Sequence, residues 1–201
     1  VSSYIDNTDD TAKAITASSL TLTASNTSTI TALAGAASIG FSFGAKSSAS
    51  LTIGVALARN TIDNVTKAYI SNVSQINTAT GKIDLDATAE NTITAISFAA
   101  SIAVALGTTG GLALSGGGAD SNNVINGDTL AYLDSVSILT AGNVSLDAQN
   151  TSTIDATVAA VAIGGAGGTG GGIGLAIGAA LSANDLGISS NRLTVQSYIK
   201  N

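Results

Sequence analysis

Cysteine, histidine, proline, methionine and tryptophan are all absent from the 201 residues. Without cysteine the chain can form no disulfide and has no thiol nucleophile. Without histidine as well, it lacks the usual zinc ligands and an imidazole general base. Without proline, nothing interrupts a sheet ladder, which suits continuous strand pairing. Charge is also scarce: charged residues make up 10% of the chain, against roughly 25% in ordinary soluble domains. So few charges cannot keep an open chain solvated, and the backbone must be tied up by pairing. The seven Lys and Arg are scattered among thirteen Asp and Glu, for a net charge of −6. No basic stripe exists to follow a phosphate backbone, so nucleic-acid binding is not expected. Aromatics are only 3% of residues, so the 45% hydrophobic content is mostly Ala, Val, Ile and Leu, alongside 23 Gly. The opening "VSSYIDNTDD" is polar and acidic and does not read as a signal peptide.

What is present is a repeat. Every tyrosine sits in a related phrase: Tyr4 in "SSYID", Tyr69 in "KAYIS", Tyr132 in "LAYLD" and Tyr198 in "QSYIK", at spacings of 65, 63 and 66 residues. After the first three come "LTLTASNTSTITA" (20–32), "IDLDATAENTITA" (83–95) and "VSLDAQNTSTIDA" (144–156), then a Gly/Ala-rich apolar stretch that closes near Asn60, Asn123 or Asn184. A period of about 62 residues read three times signals a stacked array. The expected organisation is one repetitive domain over 1–201, with units at approximately 4–68, 69–131 and 132–197. Because the chain opens and closes on the tyrosine phrase, it is read as a piece of something longer.

The local period is two. Ile39, Phe41 and Phe43 alternate with small residues, as do Leu51, Ile53, Val55 and Leu57, then Ile102, Val104 and Leu106, and finally Ile173, Leu175 and Ile177. This predicts strands with one bulky and one small face. The bulky face is expected to fill a core, and the small face to lie against another layer or form a flat surface. Turn signals fall at "GAKSS" (44–48), "TATGK" (78–82), "GTTGG" (107–111) and "GGAGGTGGG" (164–172). Each unit is expected to hold two long alternating strands, a shorter "LxLxA" strand and an "AYI" strand.

The expected fold is all-β, a parallel β-solenoid (β-helix). A unit could form three coils of about 20 residues or one very wide rung, and several coils are slightly preferred. The alternative is a set of antiparallel hairpin repeats stacked into a fibre. Membrane helices over the uncharged run 156–183 are disfavoured by the alternation, the many Gly and Thr, and the lack of basic flanks. A membrane β-barrel is disfavoured because its lumen should be polar, whereas the second face here is small and apolar.

The order of phrases, an "LxLxA…N.STI.A" strand, a Gly/Ala run, an Asn-containing close and "AYI", resembles the repeats of very large bacterial exoproteins, the filamentous-haemagglutinin-like adhesins and related β-strand-repeat surface proteins. The resemblance spans almost the whole chain. It implies a β-helical shaft, secretion and display at the bacterial cell surface, and it supplies no catalytic residues. The function expected is a non-catalytic structural or adhesive shaft segment of an extracellular protein or fibre. Expected partners are further repeats or end-to-end copies, with host-cell or surface glycans; nucleic acid and membrane insertion are not expected. The alternatives are a secreted β-helical enzyme acting on polysaccharide, and an ice-binding solenoid.

Candidate sites are few. Asp6, Thr8 and Asp10 stand at alternate positions, as at the start of a calcium loop, but Thr11 and Ala17 occupy the places of the loop's Gly and Glu. A solvated acidic turn is preferred, and no cofactor other than this calcium is considered. Asp84 and Asp86 flank Leu85 and could serve acid–base chemistry; their equivalents, Thr21/Thr23 and Ser145/Asp147, favour a solvated outer face instead. The "TLT", "TST" and "TIT" triplets suggest ice-binding threonine pairs, an array that "DLD" in the second unit breaks. Tyr4, Tyr69, Tyr132 and Tyr198, with Asn60, Asn123 and Asn184, are structural markers of the repeat. The tyrosines are expected to be covered in a core or edge role rather than to form a sugar-stacking stripe.

Overall fold

Sequences rich in β-branched residues and alternating with period two are fit for a pleated sheet and little else. A computed structural model of the chain, describing residues 1–8, 11–188 and 192–201, is all strand and turn. The strands are β1 (Ser2–Asp6), β2 (Ala14–Thr16), β3 (Leu20–Gly44), β4 (Ser47–Ser71), β5 (Gln75–Asn77), β6 (Ile83–Gly107), β7 (Gly110–Asp134), β8 (Ile138–Thr140), β9 (Val144–Gly167), β10 (Gly172–Leu186) and β11 (Leu193–Lys200). The predicted turns at "GAKSS", "TATGK" and "GTTGG" separate strands as expected, and the Gly-rich 164–172 stretch contains the turn between β9 and β10. The expected division of each unit is different. The "LxLxA" segment continues without a break into the Gly/Ala run as one 25-residue strand, and the second run continues into the "AYI" phrase as another.

Every pairing is parallel and joins equivalent strands of successive repeats. One sheet runs β1-β4-β7-β10 with β11 also on β7, a second runs β3-β6-β9, and a short third runs β2-β5-β8. The fold is thus the parallel solenoid, and the antiparallel alternative is excluded, since β3 and β4 lie in different sheets. The preference for several coils per unit is also overturned: each repeat is one very wide rung. A 25-residue strand at 3.3 Å per residue is about 80 Å long. Residues one repeat apart are therefore immediate neighbours: Leu20–Gly44 meets Ile83–Gly107 in a register unbroken over the whole strand. The third rung departs once. Leu186 faces Ile125 and Leu193 faces Gly127, so the third rung has six residues in sequence, 187–192, between registers that the second rung separates by Asn126 alone. That insertion accounts for the longer last tyrosine spacing.

The cross-section changes along the rung. At one end, which we term the base, the short β2-β5-β8 sheet props the two long sheets apart. The space is filled by Leu22, Ile70, Val73, Ile76, Ile83, Leu85, Leu133 and Val136. Further along, Ile62, Ile93 and Ile125 form a smaller cluster. Beyond that, in what we term the blade, only small residues lie between the sheets: Ala56, Ala99 and Ala119, then Ala103, Ala105 and Ala113. There the sheets nearly touch. A Cβ on Gly54 would stand 2.8 Å from the Ala100 carbonyl oxygen, and one on Gly117 2.8 Å from that of Val161. These two glycines and Gly178 form one row across the three rungs.

This reverses the expected packing of the alternating runs. Ile39, Phe41, Phe43, Leu51, Ile53, Val55 and Leu57 all point outward, with Phe43 73% and Leu51 69% exposed. The bulky face fills the core only in the base. In the blade the small face is the interior, because opposing backbones lie too close for anything larger.

Candidate functional site

Because strands stack in register, each side chain meets its own counterpart on the next rung, and identical residues form ladders. Tyr4, Tyr69, Tyr132 and Tyr198 are one such ladder on the outer face of the base. Successive ring centroids are 5.1, 4.9 and 5.0 Å apart, with the planes within 7° of parallel. The spacing is the strand separation of about 4.8 Å expected for one rung per repeat. Ala68 and Ile70, flanking Tyr69, are fully buried, so the ring itself points outward. The tyrosines are partly covered by one another rather than by the core, which corrects the expected burial. Burial pushes the Tyr69 hydroxyl above the ordinary phenol value, with Asp6 and Tyr4 adding to the effect. The Tyr132 hydroxyl is raised likewise, first by burial, then by Tyr198 and Tyr69, then by Asp134 and Asp6. A sugar stacks on a ring face, and only Tyr4 and Tyr198 have a face without a ring neighbour.

The asparagines form a second ladder, inside. Asn60 Nδ2 donates to Asn123 Oδ1 at 2.7 Å, and Asn123 Nδ2 donates to Asn184 Oδ1 at 2.8 Å. Asn123 also donates to Ser121 Oγ at 3.0 Å. Such amide chains satisfy buried polar groups while repeating at the rung spacing. Asn64, Asn91 and Ser152 form a comparable chain nearer the base, with bonds of 3.1 and 3.3 Å.

Among the described residues the acidic candidates do not converge on one site. Asp6 accepts hydrogen bonds from Ser71 Oγ at 2.8 Å and Asn72 Nδ2 at 3.0 Å. Thr8 lines a polar hollow with Asn7, Thr11, Asn72, Ser74 and Ser135, and Asp10 lies outside the described residues. Among the described residues no three carboxylates come together to hold a metal ion. Asp84 bonds the Lys82 ammonium at 2.7 Å, and Asp86 accepts from Thr88 at 3.1 Å. Asp86 lies beside Asp147 and Thr23 on the open outer face. Thr29, Thr92 and Thr153 are in register, but Thr27 is followed by Glu90, and Thr31 and Thr94 by Asp155, so the threonine rows are interrupted.

The largest surface feature was not anticipated from the sequence: both outer faces of the blade are apolar. Leu33, Ile39, Phe41, Phe43, Ile96, Phe98, Val161 and Ile163 are exposed on one face, and Leu51, Ile53, Val55, Leu57, Leu112, Ile173, Leu175 and Ile177 on the other. On the second face Gly116 sits between Ile53 and Ile177, leaving an apolar furrow walled by Leu51, Leu114 and Leu175. The signal lay in parity. Large residues in β3 occupy even positions at Leu20, Leu22 and Ile30, then odd ones at Leu33, Ile39, Phe41 and Phe43. In a strand without a bulge, such a switch moves the bulk from one face to the other. No helix is long and apolar enough to cross a membrane among the described residues. No protein-family model, curated protein or solved structure matches the chain.

Proposed function

We propose that the chain is a structural shaft segment of a large extracellular bacterial surface protein or fibre, working by stacking rather than by catalysis. The observation that carries this reading is the preservation of a whole 25-residue register from rung to rung, down to the tyrosine and asparagine ladders. A repeat conserved at that detail has one physical use, to accept another repeat on top. β3 and β9 each have a sheet neighbour on one side only, β6. Their free edges offer unpaired backbone groups to a further rung, whether from the same chain or from a second copy. The likeness of the sequence to filamentous-haemagglutinin-like exoproteins supports surface display and a role in adhesion. Surface glycans would then meet the hydroxyl- and carboxylate-bearing outer face of the base.

Electron microscopy and sedimentation of the 201-residue chain across a range of concentrations test this. End-to-end growth should give filaments about 80 Å wide, the length of one long strand. A particle that stays monomeric at the highest concentration would overturn end-to-end stacking. Introducing Pro at Thr29, on the free β3 edge, should stop growth there, because proline removes a ladder donor.

A further inference from the structure

The geometry points to the blade as a membrane-inserting element, with lipid acyl chains covering both of its apolar faces. The alternation argues against membrane helices and the small, apolar second face against a barrel with a polar lumen; neither applies to a closed blade whose bulky residues face outward on both sides.

Three features select lipid as the occupant. The first is height. On one face the band runs from Leu33 to Phe43, and equivalently from Ile96 to Leu106, about 33 Å at 3.3 Å per residue. On the other it runs from Ala49 to Leu57, about 26 Å. Bilayer hydrocarbon is about 30 Å thick, and membrane strands take about 9–11 residues to cross it. The second is level. The Ser97 hydroxyl donates across the blade to the Ala56 carbonyl at 3.2 Å. The lower limits of the two bands, between Thr94 and Ile96 and between Leu57 and Arg59, are therefore opposite each other. A slab of solvent produces matched limits on two faces; a partner protein seated on one face does not. A second copy laid against either face would leave the other in water.

The third is what bounds the band. Below it the outward residues are Thr, Asp and Glu on one sheet, and Arg59, Thr61 and Asp63 on the other. Above it lies a polar tip of Lys46, Thr108, Thr109 and Thr169. On the first rung no charged side chain points outward in the band; on the second, Asp120 does so at the band's lower limit, in register with Leu57 and Leu181. Backbone polar groups, which lipid cannot satisfy, are paired rung to rung. At the tip, the Thr109 amide donates to the Lys46 carbonyl at 2.7 Å and the Thr169 amide to that of Thr108 at 3.0 Å. Free edges remain only on the outermost rungs, and in lipid they would need the further rung that the shaft reading supplies, so the inference rests on that reading. It adds a second direction: stacking runs along the rung axis, insertion runs along the strands.

Flotation with phosphatidylcholine vesicles tests it. The chain has no tryptophan, so Ile53→Trp in the band and Lys67→Trp in the base give single fluorescent reporters. The chain, diluted from urea into vesicles, should float with a β-sheet dichroism spectrum. Brominated acyl chains should quench Trp at 53 and not at 67. Ile53→Arg should lower the bound fraction about thirtyfold or more, as a charge near mid-bilayer does, and Thr27→Arg in the base should leave it unchanged. Folded chain that stays at the bottom of the gradient, or equal quenching at 53 and 67, overturns the inference. A lipid-free oligomer dissociated by Ile53→Arg, with no flotation, would assign the band to a second copy instead. Filaments along the rung axis would survive any of these failures, so a failure of insertion is distinct from a failure of stacking.

Discussion

Base and blade are built by the same strands in the same register and bury the same face of each strand, yet that face carries bulky side chains in the base and small ones in the blade. In the base, Leu85 and Ile70 are fully buried and the outward neighbours are Asp84, Asp86 and Tyr69. In the blade, Ala99 and Ala103 are fully buried and the outward neighbours are Phe98 and Ile102. The difference lies in the gap between sheets. Sheets packed through large side chains stand about 10 Å apart, and β2-β5-β8 holds the base open for them. Nothing props the blade, and rows of Gly and Ala let its backbones close to contact. Burial is therefore a property of the gap before it is a property of the residue.

Substitutions can break this comparison or sharpen it. The largest effect belongs to the base. Leu85→Ala empties a fully enclosed site and should lower stability by about 3 kcal/mol in urea titration; a loss under about 1 kcal/mol would mean that the base is loosely packed. Gly117→Val tests the closed gap of the blade. Its branched side chain meets the Val161 carbonyl, 2.8 Å from an ideal Cβ, and should cost about 2 kcal/mol. A neutral outcome would show that the sheets can part.

Tyr69→Ala should cost about 1 kcal/mol or somewhat more, the value of two ring contacts on an outer face. The raised Tyr69 and Tyr132 hydroxyls give this ladder a pH signature. The fold favours the neutral phenol, so the ladder's contribution is intact below the ordinary phenol value of about 10 and is lost as pH rises through the higher folded values. Urea midpoints of the parent chain should therefore be flat from neutral pH to about 9 and fall beyond about 10. The decline should shrink in a Tyr69→Phe, Tyr132→Phe double variant. The smallest effect is expected at Phe41, 64% exposed in the blade: Phe41→Ser should change stability in water by less than about 0.5 kcal/mol. A cost of several kcal/mol would place that ring in a core after all.

Much of the rung could be read from its residues. The tyrosine phrases align as Tyr4, Tyr69 and Tyr132 do in space, and Asn60 and Asn123, picked out only as a recurrent close, meet at 2.7 Å. What could not be read was how many coils a repeat makes. The switch of bulk from Ile30 to Leu33 or from Ile93 to Ile96 resembles a strand break, because a continuous strand normally keeps its large residues on one face. Of the calcium candidate, Asp10 lies outside the described residues, and Asp6 accepts hydrogen bonds from Ser71 and Asn72 of the neighbouring rung, partners 65 and 66 residues away that no local motif could announce.

The sequence by itself determined that this chain forms strands, that they repeat with a period near 62 residues, and that turns fall within 44–48, 78–82, 107–111 and 164–172. Each of these follows from local alternation, Gly-rich punctuation and recurrence along the chain. Only the tertiary structure decided that one repeat makes one rung, and which face of each strand is inside. Alternation creates two faces but does not label them. The same face is inside along the whole strand, and the distance to the opposing sheet, wide beside Ile76 and β2-β5-β8 and closed at Gly54 and Gly117, decides whether that face carries bulky or small side chains. That distance belongs to residues far apart in the chain, and it turns one periodicity into a packed core at one end and a two-sided apolar surface at the other.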